Sequence, residues 1–412
     1  MNRFAAAAVV SLVMAVPAES RTPEQARAIL ETTPLIDGHN DLPWALRQRF
    51  GSDVHGVDLT RDQSGLEPPL HTDIPRLRSG GVGAQFWSVY VPAGMAPLEA
   101  ARATFEQIDV VNRMIAAHPD AFAFAATADD VERIHGEGRI ASLIGIEGGY
   151  SIAESMGLLR QFFAAGVRYM TLTHSATTSW ADSATDAPQH DGLTPFGEAV
   201  VREMNRLGML VDLSHVSEAA MMDAMRASAA PVIFSHSSAR AVTDHPRNVP
   251  DSVLRLMPED GGVVMVTFVP GFVNEDVRAH GAAGAAERAR LQSLNPGDPE
   301  AVTAGLEAWQ AANPAPTATL SDVADHIDHI RQVAGVDHVG LGGDFDGVGS
   351  LPEGLTGVET YPALLAELMR RGWSEADIRK LAGENVLRVM RAAEATAASM
   401  ADQRPSLARI DD

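Results

Sequence analysis

Histidine and carboxylate residues stand where six short apolar runs end, scattered over a chain of 412 residues: His39 with Asp41, Glu147, His174, His215, His236 and Asp344. A His-x-Asp pair places two ligand-type side chains on one side of an extended segment, because alternate residues share a face. Each residue also has an ordinary reading: Asp41 as a helix N-cap, Asp344 as a turn former beside Gly343, a lone histidine as a cap or surface group. Their joint occurrence at six run ends favours chemistry. Imidazoles and carboxylates packed together shift one another's pKa unless something compensates them, and a divalent cation does so. The chain has no cysteine, so a metal must be held by nitrogen and oxygen alone. That donor set suits zinc, with manganese or cobalt as alternatives. With Glu147 bridging, His39 and Asp41 can hold one ion while His215 and His236 hold a second. Two ions together lower the pKa of a shared water or hydroxide and polarise a carbonyl, which is hydrolytic chemistry.

Something must bring these run ends together. The apolar runs cover 34–38, 84–91, 141–146, 168–173, 209–214, 231–235, 262–268 and 338–342, and helical periodicity follows most of them, as at 97–116, 197–207, 218–227 and 318–333. Near-continuous apolar strands alternating with helices predict a parallel sheet covered on both faces. Eight such units predict an α/β fold of the (β/α)8 TIM-barrel type, in which the C-terminal ends of all strands meet at one mouth. A dinucleotide-binding sheet would need a glycine-rich turn after the first run, and Asp37-Gly38-His39-Asn40-Asp41 carries ligands instead. The looser stretches 51–69, 178–193 and 279–316 read as loops or loop-plus-helix insertions.

The formal net charge of −22 sets aside nucleic acid and anionic membrane surfaces as partners. Arg3, the apolar residues 5–16 and the small residues Val16-Pro17-Ala18 read as a secretory signal, too short for a membrane span. The expected organisation is a signal peptide at 1–18 and a single barrel domain at 19–412. The polar residues 402–412 offer no lipid-anchor tail, so a secreted or periplasmic protein is expected, without a transmembrane segment.

Several motifs taken in order resemble the membrane (renal) dipeptidase family of the amidohydrolase superfamily. They are Leu35-Ile36-Asp37-Gly38-His39-Asn40-Asp41, Thr72-Asp73-Ile74-Pro75-Arg76-Leu77, Gly83-Ala84-Gln85-Phe86-Trp87 and Leu172-Thr173-His174 with Trp180-Ala181-Asp182. Asp212-Leu213-Ser214-His215, Phe234-Ser235-His236-Ser237-Ser238, Arg247-Asn248-Val249-Pro250 and Gly342-Gly343-Asp344-Phe345-Asp346-Gly347 complete the set, which spans roughly 34–391. The resemblance implies a metallo-dipeptidase acting through a metal-bridging hydroxide, with two Zn2+ per chain. It implies that His39 and Asp41 bind one zinc, His215 and His236 the other, and that Glu147 bridges them. It further implies that His174 steadies the oxyanion, that Arg247 grips the substrate's terminal carboxylate, and that Asp344 shuttles a proton. Asp346 rivals Asp344 for that last role. A homodimer is carried over from the family as an expectation. The absence of cysteine departs from the animal members and excludes a disulfide-linked dimer.

Two rival functions stay open at this point: a related amidohydrolase acting on N-acyl amino acids or dipeptides with a D-residue, and a non-catalytic peptide-binding member. A carboxylated lysine, the usual bridge of phosphotriesterase-like enzymes, is replaced here by Glu147. Asp325-His326-Ile327-Asp328-His329 has a metal-capable helical spacing but reads as a solvated polar face. Asp344-x-Asp346-Gly347 lacks the later ligands of a calcium loop.

Overall fold

The computed structural model describes residues 21–411; the expected signal segment lies outside them. Nine strands form one parallel sheet: β1 (Leu35–Asn40), β2 (Val82–Ser88), β3 (Phe122–Phe124), β4 (Ile140–Glu147), β5 (Val167–Thr171), β6 (Leu210–Asp212), β7 (Ile233–Phe234), β8 (Val263–Val266) and β9 (Val339–Leu341). The hydrogen-bonded order is β2-β1-β9-β8-β7-β6-β5-β4-β3, and an additional β2–β4 pairing, Ala84↔Ala141 through Ser88↔Gly145, closes the ring. The closed ring therefore has eight strands, as the eight apolar runs predict. The short β3 stands outside that count. It pairs with the first half of β4 (Phe122↔Ile140), on the edge that β5 takes over from Ile144 onward.

Apart from β1 and β4, the strands of the ring are shorter than the apolar runs, and β7 has only two residues. The runs extend past the ladder because the residues beyond it remain buried at the mouth. Leu172, Leu213 and Phe268 are all fully buried. Helices cover the outer face with amphipathic stripes. The helix Pro195–Leu207 begins with Thr194 capping Gly197 N and Pro195 in the first turn, and ends at Gly208 with φ 82°, the asymmetry expected of proline and glycine at helix ends. Val200, Val201 and Met204 form its fully buried stripe, each contributing roughly 1.5–3 kcal/mol of burial.

The insertion predicted at 279–316 is a helical hairpin, Glu275–Leu294 packed on Pro299–Ala312 around Leu291, Val302 and Leu306. The polar helix face expected at 325–329 is corrected in part. His326 is completely buried: its Nδ1 accepts from Ala239 N at 2.9 Å and its Nε2 faces Val273 O at 3.2 Å. It ties two mouth loops together. His329 pairs instead with Asp251 at 2.8 Å. No described helix is long and apolar enough to cross a membrane.

Candidate functional site

The barrel brings the predicted residues to one mouth. His39 is the fifth residue of β1 and Asp41 follows its end; Glu147 is the last residue of β4. His174, His215, His236 and Asp344 lie two or three residues beyond β5, β6, β7 and β9. His215 and Asp344 have φ of 69° and 61°, a left-handed conformation that non-glycine residues adopt only where surroundings enforce it. Asp344 N donates to His39 O at 3.2 Å, and Asp41 N donates to Phe345 O at 2.9 Å, so the β9 turn is bound to the end of β1. The 178–193 loop is fastened likewise. Asp182 accepts from the backbone N–H groups of Gln189, His190 and Gly192, while Ser183 Oγ donates to His174 O at 2.6 Å and Ala184 N to His215 O at 2.7 Å.

Glu147 occupies the centre. Its Oε1 is 2.9 Å from His215 Nε2, 3.4 Å from His236 Nε2 and 3.7 Å from His174 Nε2. Its Oε2 is 3.6 Å from His39 Nε2, which is 3.2 Å from Asp41 Oδ2. Three overlapping groups have ligand atoms within 4.8 Å of one another: His39, Glu147 and His236; Glu147, His174 and His215; His39, Asp41 and Asp344.

The donor chemistry fits cations at this point. His215 Nε2 and His236 Nε2 approach to 2.9 Å, a distance that two imidazole nitrogens hold only with a hydrogen or a cation between them. Buried His39 Nε2 and Asp41 Oδ1 have no hydrogen-bond partner, which is costly without a ligand. Burial, with the charges of Arg247 and His174 on His215 and of His39 on His236, holds both imidazoles well below the usual histidine range, keeping them in the neutral form that binds metal. Burial opposes a charge on Glu147, but the neighbouring His39, His174, His215 and His236 hold its carboxyl well below the ordinary range.

A cavity of about 340 Å³ opens over this cluster, lined by Trp44, Tyr90, His174, Arg247, Phe272 and Asp344 among others. Larger depressions lie elsewhere but hold no comparable group of ligand atoms. Tyr90 stands over His174 with ring centroids 5.0 Å apart. Arg247 is buried, with Nη1 3.4 Å from Ser237 Oγ, Nη2 3.3 Å from His236 O and its guanidinium 5.4 Å from the Phe272 ring centroid. Desolvation pulls its pKa down to about 10. Asp344 is only partly covered; desolvation and the negative Asp41 and Glu147 push its carboxyl well up. Asp346 does not line this cavity. Its Oδ1 accepts from His71 N at 2.8 Å, and its own N donates to His71 Nδ1 at 3.0 Å.

Sequence reasoning missed the groups behind the cluster. Tyr169 Oη lies 2.9 Å from His39 Nδ1, and the phenol fits only because residue 145 is glycine: a Cβ there would fall 2.0 Å from the ring. Asp212 and Ser235 stand behind His236. Both belong to quoted motifs, so the signal was present without a role. The aromatic walls Trp44, Tyr90 and Phe272 carry no local signal.

The whole chain has known relatives. A family model described as membrane dipeptidase (peptidase family M19) matches residues 23–404. Dipeptidase 3 of Rattus norvegicus is 41% identical over 395 residues, covering 94% of this chain and 70% of the relative. Among solved structures, a probable dipeptidase from Pseudomonas aeruginosa superposes with TM-score 0.76 at 25% identity, covering 91% of this chain and 99% of that one. A metallopeptidase from Rhodobacter sphaeroides, liganded with a phosphinate mimic of the dipeptide L-Ala-D-Ala, superposes with TM-score 0.70 at 26% identity, covering 88% and 99%.

Proposed function

The chain belongs to the membrane dipeptidase family, peptidase family M19, and from that premise we propose that it is a secreted, zinc-dependent enzyme hydrolysing the peptide bond of dipeptides. The observation that carries the reading is Glu147, whose two oxygens face different histidines, Oε2 toward His39 and Oε1 toward His215 and His236. His39 and Asp41 would hold one ion, His215 and His236 the other, and Glu147 both. Zinc held there supplies a water of lowered pKa and a Lewis-acid contact for the scissile carbonyl.

The remaining work falls to the chain's own side chains. Arg247, desolvated under Phe272, offers a planar two-pronged donor to the terminal carboxylate of the substrate. That contact fixes where the peptide bond sits. His174, on the cavity wall, donates a hydrogen bond to the carbonyl oxygen as it gains negative charge. Asp344 takes a proton from the attacking water and delivers it to the departing amine. A space of about 340 Å³ is near the lower end of ligand pockets and suits a small substrate.

The test is hydrolysis of a panel of L,L- and L,D-dipeptides by zinc-loaded protein, with N-acyl amino acids alongside. Release of two amino acids from dipeptides supports the reading. Turnover confined to N-acyl amino acids would replace it with the related amidohydrolase, and binding without turnover would make the protein a peptide carrier.

A further inference from the structure

Behind the His215 and His236 pair lies a buried carboxylate that touches neither. Asp212, the last residue of β6, is fully buried. Its Oδ1 accepts from two backbone donors, Ser214 N at 3.1 Å and Ser235 N at 2.8 Å. Its Oδ2 accepts from Ser235 Oγ at 2.7 Å and from Thr171 Oγ1. Ser235 Oγ in turn lies 2.8 Å from His236 Nδ1. One side chain thus joins the ends of β5, β6 and β7, and two of those ends carry the histidines assigned to one ion.

We propose that Asp212 is a positioning residue that sets the tautomer of His236 through Ser235; this rests on the metal reading above. The direction of each hydrogen bond follows from the donors. A carboxylate only accepts, so the Ser235 hydroxyl hydrogen points to Asp212. The serine oxygen is then free to accept, and His236 Nδ1 must carry the hydrogen that it donates. Nε2 is left with its lone pair on the side of Glu147 and His215, the form a metal requires. Outer groups of this kind orient a ligand imidazole and raise its basicity. The Ser214 hydroxyl adds to the brace, accepting from His236 N at 3.0 Å and from Ser237 Oγ at 3.1 Å.

The arrangement makes an asymmetric demand on substitutions. In Asp212→Asn the two backbone N–H groups keep the amide oxygen at the Oδ1 position, so the amide nitrogen occupies the Oδ2 position and donates to Ser235. The serine hydrogen then turns to His236 Nδ1, at 2.8 Å a far nearer acceptor than Ser214 Oγ at 3.5 Å, which moves the imidazole hydrogen to Nε2 and blocks the metal. Ser235→Ala merely releases Nδ1 and leaves the tautomer free. Zinc affinity of the metal-free full chain is to be measured by competition with a chromophoric chelator, with apo-protein Tm in parallel. Wild type should take two ions. Asp212→Asn should bind one of them about 100-fold more weakly and the other normally; Ser235→Ala should lose only about 10-fold on the same ion. The double variant should return to the Ser235→Ala level, a coupling that simple loss of packing does not produce. Normal binding of both ions by Asp212→Asn would overturn the assignment. So would equal loss of both ions with a lowered apo Tm, the mark of a purely structural role. Wild type taking up no zinc would overturn the metal reading itself and this inference with it.

Discussion

Asp344 and Asp346 sit two residues apart on one turn, both with left-handed φ (61° and 63°), yet they serve different surroundings. Asp344 lines the cavity above His39, Asp41 and Glu147. Asp346 exchanges backbone-to-side-chain hydrogen bonds with His71, its Oδ1 accepting from His71 N and its own N donating to His71 Nδ1, and is pushed up to about 6 by burial. The turn is held to β1 by Asp344 N donating to His39 O, so the cavity-facing acid is indexed to a proposed metal ligand.

The first prediction separates these two acids. Asp344→Asn should keep the fold and both ions but lower kcat at least ~10²-fold, the usual scale for losing a general acid–base. Asp346→Asn should be milder, because Asn still accepts from His71 N. Kinetics and metal content are to be measured on both variants together. The reverse ranking would move the proton shuttle to Asp346, and metal loss accounting for the whole Asp344→Asn defect would overturn the assignment to Asp344.

Elemental analysis should find two divalent ions per chain in active protein. Dialysis against a chelator should abolish activity and lower Tm, since ligands that bind only the folded state stabilise it, and zinc should restore both. One ion or none in fully active protein contradicts the bridging role of Glu147.

Arg247→Ala should weaken dipeptides with a free C-terminus by roughly 2–5 kcal/mol, the cost of breaking a desolvated charge-assisted pair. The loss should appear mainly in KM. C-terminally amidated dipeptides should be poor substrates of the unmodified protein. Equal cleavage of amides and free acids would assign Arg247 another task.

A pH effect is expected far from the mouth, at Asp260. Burial raises its pKa to about 6, although it accepts from Val232 N at 3.0 Å and lies near Arg388. The folded pKa is above the unfolded one, so the folded state binds the proton more tightly. The stabilisation is full below about pH 4 and is lost as pH rises through about 6. Asp260→Asn imitates the protonated acid and keeps the acceptor. It should match wild type in Tm near pH 4 and be more stable above pH 7, by about 3 kcal/mol. A constant difference across pH would show that Asp260 does not titrate in this way.

The pattern of the chain already determined the barrel and the donor atoms at its mouth. Strands buried on both faces must be apolar almost throughout, so eight of them leave eight legible runs. Parallel closure then sends every run end to one face, which is why His39, Glu147, His215 and His236 could be grouped across nearly two hundred residues. The family motifs added expected roles for Arg247 and Asp344. The short β3 escaped notice because its three residues lie outside the closed ring, pairing only with the start of β4. His326 looked solvated because helical spacing identifies a face without saying what packs on it; two mouth loops cover that face. Tertiary structure alone decided the separate surroundings of Asp344 and Asp346, through backbone angles that non-glycine residues do not announce. It also decided that Asp212 stands behind His236, because the donors to its two oxygens come from three different strand ends. Ligand type is a property of a residue, but hydrogen-bond direction is a property of its neighbours, and those neighbours meet only when the barrel closes.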